Sequence, residues 1–187
     1  MNAVYIFIDG QYLSLISKYF GNGIPLKIDL YTLSLLLARN EELLCEKLFY
    51  YTAPPFQGSP PTTDEALRKA NYDKFAAHLK KNPLIELREG RCQKIDGIFL
   101  QKGVDTLLTM DLMNCANSSI KQIILIACDT DFVPILNELR KKGIYITLYY
   151  FNDYRRKSRF SMSNHLLTTC DKHVLITHNL LRQSMSD

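Results

Sequence analysis

Asp129 and Asp131 stand one residue apart in the stretch KQIILIACDTDFVPILNELRKKG (121–143), where a buried apolar run meets a helix-like pattern. Two carboxylates that close repel each other, so the pair needs a capping role, a counter-charge or a cation. Asp9 closes another apolar run, AVYIFI (3–8), just before Gly10. Asp105 falls in the first turn of a helix expected after Gly103, whose turn can direct it toward the same edge. Four carboxylates in one water-accessible notch destabilise one another unless cations lie among them. Mg²⁺ and Mn²⁺ take oxygen ligands and commonly combine carboxylates with waters and substrate phosphate oxygens. Such an ion lowers the pKa of bound water and stabilises a phosphodiester transition state, which is the work of a nuclease. Lys102 would assist by neutralising a phosphate, with no proton transfer required.

Each of these residues also has an ordinary structural role open to it. Asp131 or Thr130 suits the cap of the helix that begins near Phe132, and Pro134 suits its first turn. Asp105 suits the positive end of a helix dipole, and Asp9 before Gly10 suits a turn. Their joint placement favours the chemistry, because all four fall at strand ends or helix starts expected to share one edge. Asp111 lies ~9 Å along the helix from Asp105 and about 120° around it. It is therefore expected to support the acids from behind or to pair with a lysine, rather than bind the same ion.

The elements that must position these acids can be read from apolar periodicity. Residues 3–8, CEKLFYYTA (45–53), QIILIAC (122–128) and IYITLYYF (144–151) are apolar runs of strand length. Between them, QYLSLISKYF (11–20), LYTLSLLLARN (30–40) capped by Asp29, and VPILNELRKKG (133–143) read as helices. A long helix opens at Thr62 or Thr63, with Leu67, Ala70, Phe75 and Leu79 as its expected buried stripe. KGVDTLLTMDLMNCAN (102–117) reads as a helix with Val104, Leu107, Leu108 and Leu112 on one face. LIELREG and the segment near 91–100 read as strands without an assigned pairing. A last amphipathic stretch, NHLLTTCDKHVLI (164–176), is expected to pack on the sheet as a helix. Continuous apolar strands alternating with helices give an α/β fold, a mainly parallel sheet flanked by helices on both faces. Sites in such folds form at the carboxyl ends of the strands.

At 187 residues, without repeats or linkers, the chain reads as a single domain over 1–187. A net charge of +4 is compatible with an anionic partner but does not by itself specify one. Five scattered cysteines (Cys45, Cys92, Cys115, Cys128, Cys170) lack any CxxC spacing and read as reduced thiols. With no signal-peptide pattern and no apolar run of membrane-spanning length, a cytoplasmic protein that engages no membrane is expected.

FIDGQ (7–11), KGVDTLLTMDL (102–112) and ILIACDTDFVPIL (124–136) resemble, in order and spacing, the three motif blocks of the NYN-domain family, a branch of the PIN-like nucleases. The closing HLLTTCDKHVLI resembles the helix that commonly ends that domain, so the resemblance spans nearly the whole chain. It implies a Rossmann-like (PIN-like) fold and a ribonuclease dependent on Mg²⁺ or Mn²⁺. The family's metal-binding acids fall on Asp9, Asp105, Asp129 and Asp131, and Asp111 matches a further acidic position. One position departs from the pattern: the family usually has Asn three residues after the first Asp, and here that residue is Tyr12.

YRRKSRF (154–160) is the most basic stretch. Arg155, Arg156, Lys157 and Arg159, flanked by Tyr154 and Phe160, offer phosphate contacts and aromatic stacking for RNA, single-stranded or structured. A solvated loop is its ordinary reading. The four histidines have no zinc spacing, and GNG (21–23) lacks the third glycine of a dinucleotide loop. A homodimer is a possible assembly. Two rivals stand beside the ribonuclease. One is a weakly active or inactive member acting as an RNA- or protein-binding regulator, motivated by Tyr12. The other is a haloacid-dehalogenase-type phosphatase built on the DTD at 129–131, although too little chain follows Asp131 for the rest of such a core.

Overall fold

A computed structural model describes residues 2–153, 160 and 162–185. Its strands are β1 (Ala3–Asp9), β2 (Leu44–Thr52), β3 (Ile85–Glu89), β4 (Arg91–Ile95), β5 (Ile98–Lys102), β6 (Gln122–Ile126), β7 (Tyr145–Tyr150) and β8 (Lys172–Leu175). Its helices are α1 (Gly10–Phe20), α2 (Leu30–Asn40), α3 (Thr63–Lys80), α4 (Val104–Cys115), α5 (Val133–Lys141), α6 (Asn164–Thr169) and α7 (His178–Gln183). Six strands form one sheet in the order β3-β2-β1-β6-β7-β8, with every pairing parallel. This PIN-like α/β arrangement explains the unbroken apolar runs, since a strand covered on both faces has no solvent side to alternate with.

The pleat of β1 divides the interior into two layers. Val4, Ile6 and Ile8 pack with Leu13 and Ile16 of α1, Leu33 and Leu37 of α2 and Leu181 of α7. Phe7 points to the other face and joins Leu108 and Leu112 of α4, Leu136 of α5 and Leu166 of α6. Each fully buried side chain of this kind contributes about 1.5–3 kcal/mol. No helix among the described residues is long and apolar enough to cross a membrane.

From β1 the chain passes through α1 and α2 to β2 on one side, whereas β6 lies on the other side of β1. The connections thus diverge between β1 and β6, where Ile8 stands beside Ile126. A crevice at the carboxyl ends of these two strands follows from that topology.

Three segments differ from their sequence reading. Residues 91–102 form a separate antiparallel hairpin of β4 and β5, so Gln101 and Lys102 belong to a strand and α4 begins only at Val104. The turn is Asp96-Gly97, both with positive φ (50° and 78°), as a two-residue hairpin turn requires. In α3, Leu67 is 60% exposed and Ala70 is also exposed, while Ala76 and Leu79 are buried. The first half of that helix lies beside the hairpin, with Arg68 over the Phe99 ring, and only its later turns reach the sheet.

The closing stretch is not one helix. Asp171 ends α6 by accepting from the Ile146 N–H (2.8 Å) and from Arg140 Nε (3.0 Å), and its own N–H donates to the Ile146 carbonyl (3.0 Å). Those bonds align Lys172–Leu175 with β7 as the edge strand β8, which places His173 on a strand.

Candidate functional site

Asp9 ends β1 and caps α1. Its Oδ1 accepts from the N–H groups of Gln11 (2.9 Å) and Tyr12 (3.2 Å). The helix starts flush against β2 because residue 10 is glycine: a Cβ there would lie 2.6 Å from the Tyr51 carbonyl oxygen. Asp105 lies in the first turn of α4, launched by Gly103 at φ +80°. Asp129 follows β6 and caps a single 3-10 turn, Thr130–Phe132, its Oδ1 accepting from the Asp131 N–H at 2.9 Å. The cap is therefore Asp129 rather than Asp131 or Thr130, because this extra turn intervenes before α5. Pro134 occupies the first turn of α5 as expected, and Thr130 and Asp131 are exposed.

The acids act on one another. Burial pushes the Asp9 carboxyl up to about 6. The capping N–H groups oppose that rise, and Asp105 and Asp129 add to it. Asp105 is raised too, by burial first and then by Asp129 and Asp131. The Cys128 thiol is pushed up to about 11 by burial, with further contributions from Asp9, Asp129 and Asp105. Carboxylates delivered by β1, α4 and the β6–α5 turn thus share one electrostatic environment. Among the described residues, no three Asp, Glu, His or Cys side chains already stand together as a metal-holding group.

Asp9 and Asp105 line a cleft of about 540 Å³ between α1 and the β4–β5 hairpin. Gln11, Ser14 and Lys18 of α1 and Cys92, Phe99 and Gln101 of the hairpin contribute to its walls; Asp129 and Asp131 do not. The sequence reading missed these walls. The available signals were the polar stripe Gln11, Ser14, Lys18 at helical spacing, and the Asp-Gly turn that folds 91–102 back on itself. A larger cleft of about 650 Å³, beside Asp29, Tyr31 and His78, contains none of the four acids.

Other expected site residues go elsewhere. Tyr12 is buried in the core, where its hydroxyl accepts from the Phe151 N–H (2.9 Å) and donates to the Phe151 carbonyl (3.2 Å). Only its backbone N–H reaches Asp9, so the side chain cannot take the place of an Asn in the acidic notch. Asp111 is buried and pairs with an arginine rather than a lysine. Arg88 grips it through Nε–Oδ2 (2.7 Å) and Nη2–Oδ1 (2.8 Å), and the Tyr51 hydroxyl donates to Oδ2 (2.9 Å). That cluster ties α4 to β2 and β3. Lys102 is exposed at the end of β5, immediately before Gly103.

Arg155, Arg156, Lys157 and Arg159 lie outside the described residues. Phe160, expected to help stack bases, is only 4% exposed and packs edge-on against Tyr19 and Phe151 (centroids 5.3 and 5.1 Å).

A doubly wound parallel sheet with carboxylates converging on its switch point is the class of protein defined by this fold and site. The sequence matches the NYN domain over residues 3–177, and the chain belongs to that family. The NYN domain is part of the PIN-like nuclease superfamily. The fold is similar to that in a crystal structure of a protein of unknown function from Vibrio parahaemolyticus, with a TM-score of 0.63 at 18% identity. That similarity covers 94% of this chain and 93% of the other. No curated protein matches the sequence.

Proposed function

We propose that this chain is a divalent-metal-dependent ribonuclease whose Asp9, Asp105, Asp129 and Asp131 form the catalytic, metal-holding cluster. The observation that carries this reading is the meeting of acids from three separate elements at the β1/β6 switch point. There, Asp105 and Asp129 each help hold the Asp9 carboxyl above its ordinary range. Repulsion built into a water-accessible crevice is costly, and a cation removes it.

The donor set fits a hard ion. It is all carboxylate oxygen, which suits Mg²⁺ or Mn²⁺ rather than a thiol- or imidazole-preferring metal. When bound, the ion supplies a more acidic water and charge neutralisation at the scissile phosphate.

The chain's own residues set the stage. Asp9 and Asp129 are held by their capping bonds, so two of the four carboxylates have fixed positions. Asp105 stands on a helix whose start is fixed by Gly103 and bears on the cleft with Asp9. Lys102, exposed beside them, offers a positive charge to a phosphate without taking part in proton transfer. RNA is the substrate class that the family placement favours.

The test is cleavage of an end-labelled oligoribonucleotide by the purified chain in Mn²⁺ or Mg²⁺, in EDTA, and with Asp105→Asn. Metal-dependent cutting that falls at least a hundredfold in the variant supports the reading. Cutting that persists in EDTA, or in Asp105→Asn at the parent rate, overturns it.

A non-catalytic binding protein is the second reading. It is favoured by Tyr12, whose side chain is committed to Phe151 instead of the notch. Metal binding without cleavage of any RNA would select it.

A further inference from the structure

The hairpin forms the wall of the cleft opposite α1, and its strand register assigns residues to faces. Cys92 pairs with Gln101 and Lys94 with Phe99, so these four side chains share one face. Cys92, Phe99 and Gln101 line the cleft that Asp9 and Asp105 enter. Ile95, Ile98, Leu100, Arg91 and Lys102 alternate to the other face of the hairpin. Phe99 is 46% exposed although it is a large apolar side chain, and a half-bare aromatic ring beside a polar cleft invites a stacking partner.

Its surroundings narrow the choice of partner. Lys94 Nζ lies 5.4 Å from the ring centroid and the Arg68 guanidinium carbon 5.8 Å from it, so positive charge flanks the ring on neighbouring elements. The Phe56 ring lies 5.8 Å away at a tilt, so the aromatic surface extends beyond one side chain. Across the cleft, Gln11 and Ser14 bring groups that hydrogen-bond in both directions, and Lys18 adds another cation. Aromatic faces, flanking cations and adaptable amides are the combination by which proteins hold unpaired nucleotides. A duplex presents backbone rather than base faces and cannot use Phe99 in this way.

We infer that the cleft between α1 and the β4–β5 hairpin is a subsite for an unpaired nucleotide of RNA, with the base stacked on Phe99 and its edge read by Gln101 and Gln11. This rests on the reading of the chain as an RNA-directed protein, and it adds a selectivity for single strands. The base in this subsite flanks the phosphate presented to Asp9 and Asp105, so Phe99 is a specificity-determining residue rather than a catalytic one.

The experiment measures binding, not cleavage. Full-length chain carrying Asp129→Asn, in EDTA, is titrated into a fluorescently labelled unstructured oligoribonucleotide and, separately, into the same strand annealed to its complement. Anisotropy reports Kd. The single strand is expected to bind more tightly than the duplex. Adding Phe99→Ala is expected to weaken single-strand binding by on the order of tenfold, the usual loss when a stacking aromatic is removed. Phe99→Trp is expected to retain binding, and Ile98→Ala on the opposite face to leave it unchanged. Melting curves on each variant control for folding, which the exposure of Phe99 makes robust.

Parent-like binding by Phe99→Ala, or a duplex bound as tightly as the single strand, overturns the subsite even if the chain proves to be a nuclease. Conversely, Phe99-dependent binding by a chain that never cleaves RNA leaves the subsite standing and removes the nuclease reading. Absence of RNA binding by every form overturns the subsite outright.

Discussion

Replacing Asp9 by Asn is expected to stabilise the protein while weakening its metal site. The Asp9 carboxyl titrates near 6 in the fold against an ordinary 3.8. A tenfold change in proton affinity corresponds to about 1.4 kcal/mol, so the ionised group costs the fold up to about 3 kcal/mol at pH 7.5. The sign follows from the order of the two values. As pH rises from 4 to 6 the unfolded chain releases this proton before the folded one, so Asp9 subtracts stability across that window and keeps it low above 6. Asn caps a helix about as well as Asp, so Asp9→Asn keeps the acceptor for Gln11 and Tyr12 and removes only the charge.

Thermal melts in EDTA check this. Near pH 4 the variant and parent should melt close together. At pH 7.5 the variant should melt higher by up to about 6–12 °C, given 2–4 °C per kcal/mol for a chain of this size. Saturating Mn²⁺ should then raise the parent but not the variant. A variant that melts lower than the parent at every pH would refute the reasoning, because Asp9 would then be a cap without electrostatic compression.

Two further outcomes follow from the buried polar clusters. Tyr12→Phe leaves the N–H and carbonyl of Phe151 without their hydroxyl partner; a loss of about 1–3 kcal/mol is expected in urea denaturation, with metal affinity unchanged. Arg88→Ala strands the buried Asp111 carboxylate. The expected cost is toward the lower end of about 3–5 kcal/mol, because the Arg88 side chain is 30% exposed, and adding Asp111→Asn should recover part of it in the same assay.

The parallel sheet was legible because its strands are buried on both faces and so carry unbroken apolar runs. The acids were legible because carboxylates at strand ends are conspicuous against those runs, and the topology then brings the ends of β1 and β6 together. What sequence could not resolve depended on contacts between distant residues. Asp111 finds Arg88 on β3, and Asp171 aligns β8 through Ile146, neither of which local spacing encodes. Leu67 fits a buried helical stripe, yet half of α3 faces the hairpin instead of the sheet. Tyr12 occupies the position of a polar family residue, and its hydroxyl is satisfied by a backbone 139 positions away. The hairpin was the avoidable omission, because Asp96-Gly97 is a strong turn signal.

The central claim is that Asp9, Asp105, Asp129 and Asp131 converge in order to hold a divalent cation. Titration of the purified chain with Mn²⁺, followed by the electron paramagnetic resonance of the free ion, tests it most directly when run beside Asp129→Asn. The account predicts saturable binding by the parent and an affinity at least tenfold weaker in the variant. Binding that is equal in the two proteins, or no saturable binding by the parent, would contradict it.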